Sequence, residues 1–165
     1  MQTEYSYEFM VSRNDPFGFA LRTRKNLDAI LHAHKRGEDV HPVTQVVSSL
    51  VGIVVFPWNH DPIGEHIKDR RLADVFPNSE FKLTVDLGKI NTIGQLWRTI
   101  RNAVSHRRVV FSNDSRELNE VEVTFFDGHW NRQQKTLDER VRIRLTGDQL
   151  LIFCYAILEL IDEYK

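Results

Sequence analysis

Two stretches of this chain, Glu120 to Phe126 and Arg140 to Leu145, alternate apolar and polar side chains at period two, whereas most other apolar residues recur at intervals of three and four. A strand sends successive side chains to opposite faces and a helix repeats every 3.6 residues, so neither pattern can serve as the other. The alternation predicts a β-hairpin with a long loop, about 119–145, inserted among helices, with Asp127-Gly128 in its connection. Val121, Val123 and Phe125 then face the protein together with Val141, Ile143 and Leu145. Arg140, Arg142 and Arg144 share the outer face with Glu120, Glu122 and Thr124, where a solvated cross-strand charge ladder outweighs a track for a polyanion.

Helical spacing organises the rest. Asp15-Pro16 starts a helix carrying Phe17, Ala20, Leu21, Leu27, Ile30 and Leu31, which Gly37 ends. A second helix begins near Pro42 and is stopped by Pro57; its β-branched run from Gly52 to Phe56 also suits a strand, but the length between the prolines favours a buried helix. Thr44, Ser48 and Gly52 form a stripe of small residues on it that either lets a neighbouring helix approach or is its less buried side. From Pro57 to Lys89 the periodicity is weak, so a long connection with one short helix around Glu65 to Asp74 is expected. Asn91 caps a helix that runs to about His106, with Ile93, Leu96, Trp97, Ile100, Ala103 and Val104 on its apolar face. Thr146 caps the last helix, Gly147 to Glu163.

These patterns predict a mainly α-helical fold, a helical bundle with a β-hairpin insertion before the C-terminal helix. With 165 residues and 41% apolar side chains, a single domain over 1–165 is expected. The longest apolar stretch, Val46 to Phe56, is far short of the roughly 20 residues that cross a bilayer. Met1 to Asp15 has no basic start followed by an apolar core, so a cytoplasmic location without membrane contact is expected. Cys154, the one cysteine, lies in an apolar run and reads as a core thiol. His32 and His34, and the set His60, Asp61 and His66, lack a recognisable ligand spacing, so neither a metal nor a cofactor is expected.

The formal net charge is −1, so any anion-binding surface must be local. Residues 98–108 read RTIRNAVSHRR: four arginines, one histidine and no acid. On a helical wheel with the apolar face near 340°, Arg101 lies at about 80°, Ser105 at about 120°, Arg98 at about 140°, Asn102 at about 180° and His106 at about 220°. A guanidinium, an amide, a hydroxyl and an imidazole thus share the polar side. That set suits RNA cleavage. The ribose 2′-hydroxyl can attack its own adjacent phosphate, so the protein need only move protons and stabilise charge on the phosphoryl oxygens, with no obligatory metal. Imidazoles exchange protons near neutral pH, and a permanently charged planar guanidinium suits a phosphate. Arg98, Ser105, Arg107 and Arg108 are assigned to RNA binding. Arg101 and His106 are about 140° apart and 7.5 Å along a straight helix, so convergence requires either an end or bend near Ser105, or a second copy packed across a two-fold axis.

Fifteen arginines, seven histidines and three allowed gaps predict about two accidental Arg-to-His pairs in this length, and two are present. The other, Arg36 to His41, straddles Gly37 and belongs to a loop. The string RNAVSH, Arg101 to His106, near the end of an internal helix, resembles the signature of the HEPN superfamily, in which Arg is followed by four to six residues and His, often with a polar residue directly after the Arg. The resemblance implies a helical bundle, homodimerisation that pairs the two motifs, and metal-independent endoribonuclease activity in toxin–antitoxin or antiviral defence systems. It also implies Arg101 and His106 as the catalytic pair, Asn102 as the supporting residue, and an antitoxin or defence-system partner. Some toxins of the superfamily carry a Tyr two positions after the His that a partner nucleotidyltransferase modifies; Arg108 stands there. The competing reading is a non-catalytic RNA- or nucleotide-binding dimerisation module.

Overall fold

The computed structural model describes residues 16–58, 61–78 and 80–163. Met1 to Asp15 and His60, on which some of the expectations above rest, lie outside them. The element order is α1 (Pro16–Lys35), α2 (Pro42–Leu50), a π-helical turn (Val51–Val55), α3 (Phe56–Trp58), α4 (Asp61–Ile67), α5 (Leu72–Val75), β1 (Thr84–Leu87), α6 (Ile93–Ser105), β2 (Val109–Phe111), β3 (Glu122–Asn131), β4 (Thr136–Thr146) and α7 (Gly147–Glu163).

The long helices fall where periodicity places them, and Gly37, after α1, takes φ +78°. Pro57 does not stop the second helix, however. The chain widens into a π turn, in which the Phe56 N–H bonds Val51 O five residues back, and stays helical to Trp58. Proline lacks a donor and crowds the carbonyl four residues before it, and the widened turn accommodates both defects. Of the small-residue stripe, only Gly52 supports a close approach: a Cβ there would lie 2.1 Å from Thr23 Oγ1 of α1. Thr44 and Ser48 are exposed.

The β structure exceeds the expectation. The hairpin β3–β4 is the centre of a four-stranded antiparallel sheet ordered β1-β4-β3-β2. The fold is therefore helices packed with a sheet, which corrects the expected bundle carrying a two-stranded insertion. Nor is the hairpin an appendage, because Val123, Phe125, Ile143 and Leu145 are fully buried in the same cluster as Leu27, Ile53, Trp97, Ile100 and Phe153. Both edge strands were illegible for a physical reason. All four residues of β1 are exposed and β2 is three residues long, so neither carries an inside–outside alternation.

Asp127-Gly128 is also corrected. It lies inside β3 at a register shift, and the turn comes later, at 132–135, where Lys135 takes φ +53°. The outer face is the expected charge ladder only in part: Arg144 forms paired hydrogen bonds to Asp86 (2.7 and 2.9 Å) and to Glu122 (2.9 and 3.1 Å), Arg142 bonds Glu139 of its own strand, and Arg140, skipped at the register shift, lines a cleft with α6 instead. Arg142 and Arg144 are engaged with carboxylates, which leaves no free cationic track along the strand. The loop before β1 is tied to α7 by the buried Gln149, which accepts from Lys82 N (2.6 Å) and donates to Glu80 O (2.9 Å). Cys154 is fully buried, and burial pushes its thiol up to about 12, so it is an inert core group. Among the described residues no helix is long and apolar enough to cross a membrane, and no group of three potential ligands gathers to hold a metal ion.

Candidate active site at the end of helix α6

Helix α6 is fixed at both ends. Thr92, rather than Asn91, is the N-cap: its Oγ1 accepts from Gln95 N, and Gln95 Oε1 accepts from both Thr92 N and Asn91 N. This reciprocal box satisfies donors that a helix start leaves open. Gly94 lets the first turn sit against α4, since a Cβ there would lie 2.5 Å from Lys68 O. Ile93, Leu96, Trp97, Ile100 and Ala103 are fully buried, and the Trp97 indole donates to Val54 O (2.6 Å) in the π turn. The apolar face read from the sequence is the buried one, so the rotation of α6 is set and the polar residues are aimed by default.

The C-terminus answers part of the convergence problem. The helix ends at Ser105, and His106 is the C-cap at φ −108°, ψ 11°. Arg107 N bonds Val104 O (3.3 Å) and Arg108 N bonds Ala103 O (2.8 Å), a Schellman closure. Its left-handed position is Arg107, at φ +57°. Glycine is the usual occupant there, and an L-residue costs about 1 to 2 kcal/mol in that region. Arg107→Gly is therefore expected to raise stability by about 0.5–1 kcal/mol after the added freedom of the unfolded chain is counted, while removing a cation next to His106. Thermal melts and RNA binding measured on one preparation check both signs; a destabilised variant contradicts the expectation.

Beyond the helix end, Arg108 O accepts from Phe126 N (3.1 Å), locking the motif onto β3. Here lies the residue that sequence reasoning missed. Asp127 accepts from Asn102 Nδ2 (2.8 Å) and has Arg108 Nη1 at 3.8 Å, and Arg108 also donates to Gly128 O (3.1 Å). Asp127 and Arg108 are 19% and 18% exposed, enough burial for the pairing to orient Asn102. Gly128 makes room for this turn of the strand, since a Cβ would lie 2.1 Å from Asp138 O. A signal for Asp127 was present: the inward parity of Val121, Val123 and Phe125 continues to 127, on the face that α6 covers.

Arg101 is half-buried beside this network. Burial lowers its pKa and the neighbouring Arg98 lowers it further, while Asp127 opposes the shift. His106 is exposed, and its imidazole makes no hydrogen bond or ion pair with the described residues. Arg98, Ser105 and Arg107 are exposed as well. Within one protomer, then, Asn102, Arg108 and Asp127 are joined, Arg101 lies in their field, and His106 stands at the open end of the helix. The chemistry available is a cationic, hydrogen-bonding floor with an imidazole at its rim.

A family model described as HEPN pEK499 p136 matches residues 8–165. No curated protein and no solved structure matches significantly.

Proposed function

The chain belongs to the HEPN superfamily, in the family described as HEPN pEK499 p136, and on that footing we propose that it is a metal-independent endoribonuclease acting as a toxin or antiviral-defence effector. His106 takes the proton of a ribose 2′-hydroxyl as its oxygen attacks the adjacent phosphorus. The P–O5′ bond breaks, leaving a 2′,3′-cyclic phosphate; the departing oxygen takes a proton from water to become a 5′-hydroxyl, and His106 returns its proton to the solvent. Arg101 stabilises the charge that develops on the phosphoryl oxygens, and burial makes that interaction stronger than it is in water. Asn102, held by Asp127, orients the phosphate.

The observation that carries this reading is the Asn102–Asp127 bond beside the half-buried Arg101, one turn before an exposed imidazole. A solvated basic helix face needs no such internal tether. Because His106 lies outside the network of its own protomer, the proposed active species is a homodimer in which α6 of a second copy completes each cleft. Single-turnover cleavage of RNA in excess EDTA, comparing the wild type with Arg101→Ala and His106→Ala, tests the reading, and light scattering tests the dimer. A wild type that binds diverse RNAs and cuts none is a binding module. A fully active monomer removes the composite cleft.

A further inference from the structure

A cleft of about 380 Å³ opens between α6 and the β3–β4 hairpin, within the size range of ligand sites. Its lining includes Lys89, Arg98, Asn102, Asp127, His129 and Arg140. Lys89, His129 and Arg140 come from a loop and two strands that the motif does not include. The charge balance is one-sided. Lys89 and Arg98 have no hydrogen-bond or ion-pair partner among the described residues, and Arg140 has only Asp138, at 3.5 Å and on the solvent side. The one lining carboxylate, Asp127, is already engaged by Asn102 and faces Arg108.

We propose that this cleft binds the phosphate and base of an RNA nucleotide that neighbours the cut one, so that the hairpin forms a substrate subsite. The inference rests on the ribonuclease reading above. Arg98 and Asn102 are one turn apart on α6 and Asn102 adjoins Arg101, so cleft and motif form a continuous surface. From Arg98 to His106 is about 12 Å along the helix; at about 3.4 Å per stacked nucleotide, that places the cleft within three or four nucleotides of the imidazole. Lys89, Arg98 and Arg140 ring the opening as phosphate contacts, while a carboxylate and an amide on the floor accept from and donate to base edges, contacts that a 2′-O-methylated strand keeps. An acidic peptide fits less well, because its carboxylates would meet Asp127.

The test uses the full chain and a labelled decaribonucleotide methylated at every 2′-oxygen, which cannot be cut by its own hydroxyls. Its affinity is followed by fluorescence anisotropy between about 50 and 200 mM salt. Lys89→Gln combined with Arg140→Gln, both at exposed positions, is expected to weaken binding about tenfold and to flatten the logarithmic salt dependence by about 1.4, at 0.7 per lost phosphate contact. Lys89→Glu with Arg140→Glu is expected to weaken it further. Unchanged affinity and slope overturn the subsite, as does absence of binding by the wild type, or polyglutamate that displaces the strand as well as unlabelled RNA does. His106→Ala is expected to bind this strand as the wild type does while cutting unmodified RNA about 10²–10⁴ times more slowly. A wild type that cuts no RNA removes the ribonuclease reading alone, because the slope comparison uses an uncleavable strand.

Discussion

His106→Ala is expected to cleave RNA about 10²–10⁴ times more slowly than the wild type, the range typical of a positioned acid–base group. Arg101→Ala is expected to lose about 10²–10³, as when a single preorganised donor to a developing oxyanion is removed. Both losses belong in the single-turnover rate rather than in binding, since each group acts on charge that exists only in the transition state. The His106 side chain is exposed and has no hydrogen-bond or ion-pair partner among the described residues, so its removal leaves the fold intact and the loss is chemical. The two variants also report on assembly. If a cleft takes Arg101 from one copy and His106 from the other, an equal mixture that exchanges subunits forms hybrids in half of its dimers, each with one intact site of two. Activity then recovers to about a quarter of the wild type. No recovery after verified exchange places both groups of each site in one copy. Rates for either variant within a factor of about two of the wild type remove the proposed catalytic pair.

Gly128→Ala is expected to destabilise the protein by about 2–3 kcal/mol, at the upper part of the range for a steric intrusion into well-packed structure. The cause is backbone rather than side chain: the added Cβ would meet Asp138 O at 2.1 Å and Glu139 Cα at 2.8 Å across the hairpin, and neither can rotate away. The register shift at Asp127 and Gly128 must then relax, carrying Asp127 with it. For a chain of this length the loss corresponds to a fall in Tm of about 4–12 °C. Because Asp127 holds Asn102, RNA cleavage is expected to fall well below the melting range, where the protein is still folded. A melting temperature within a degree of the wild type shows that the strand absorbs the methyl group and that Gly128 is dispensable.

Much of this arrangement was legible in the chain. The apolar face of α6 is a strict helical stripe, and burying Ile93, Leu96, Trp97, Ile100 and Ala103 leaves one rotation of the helix, hence one outward direction for Arg98 and Ser105. The inward residues of the hairpin followed from parity alone. Edge strands were another matter. β1 is wholly exposed and is held by backbone pairing with β4 and by Arg144 bridging to Asp86, a contact across 58 positions that no local pattern announces. Pro57 reads as a stop only while the preceding turns are assumed to be α-helical, and the π turn removes that premise.

The amino-acid order by itself determined which elements are helices, which faces they bury, and that the positive charge of a nearly neutral chain is concentrated at 98–108, because these are properties of residues close together in the chain. Only the tertiary structure decided what that charge faces. Asp127 meets Asn102 across 25 positions, and Lys89 and Arg140 join Arg98 around one cleft, because the core draws the sheet against α6 and brings together groups whose sequence separation carries no information about their distance.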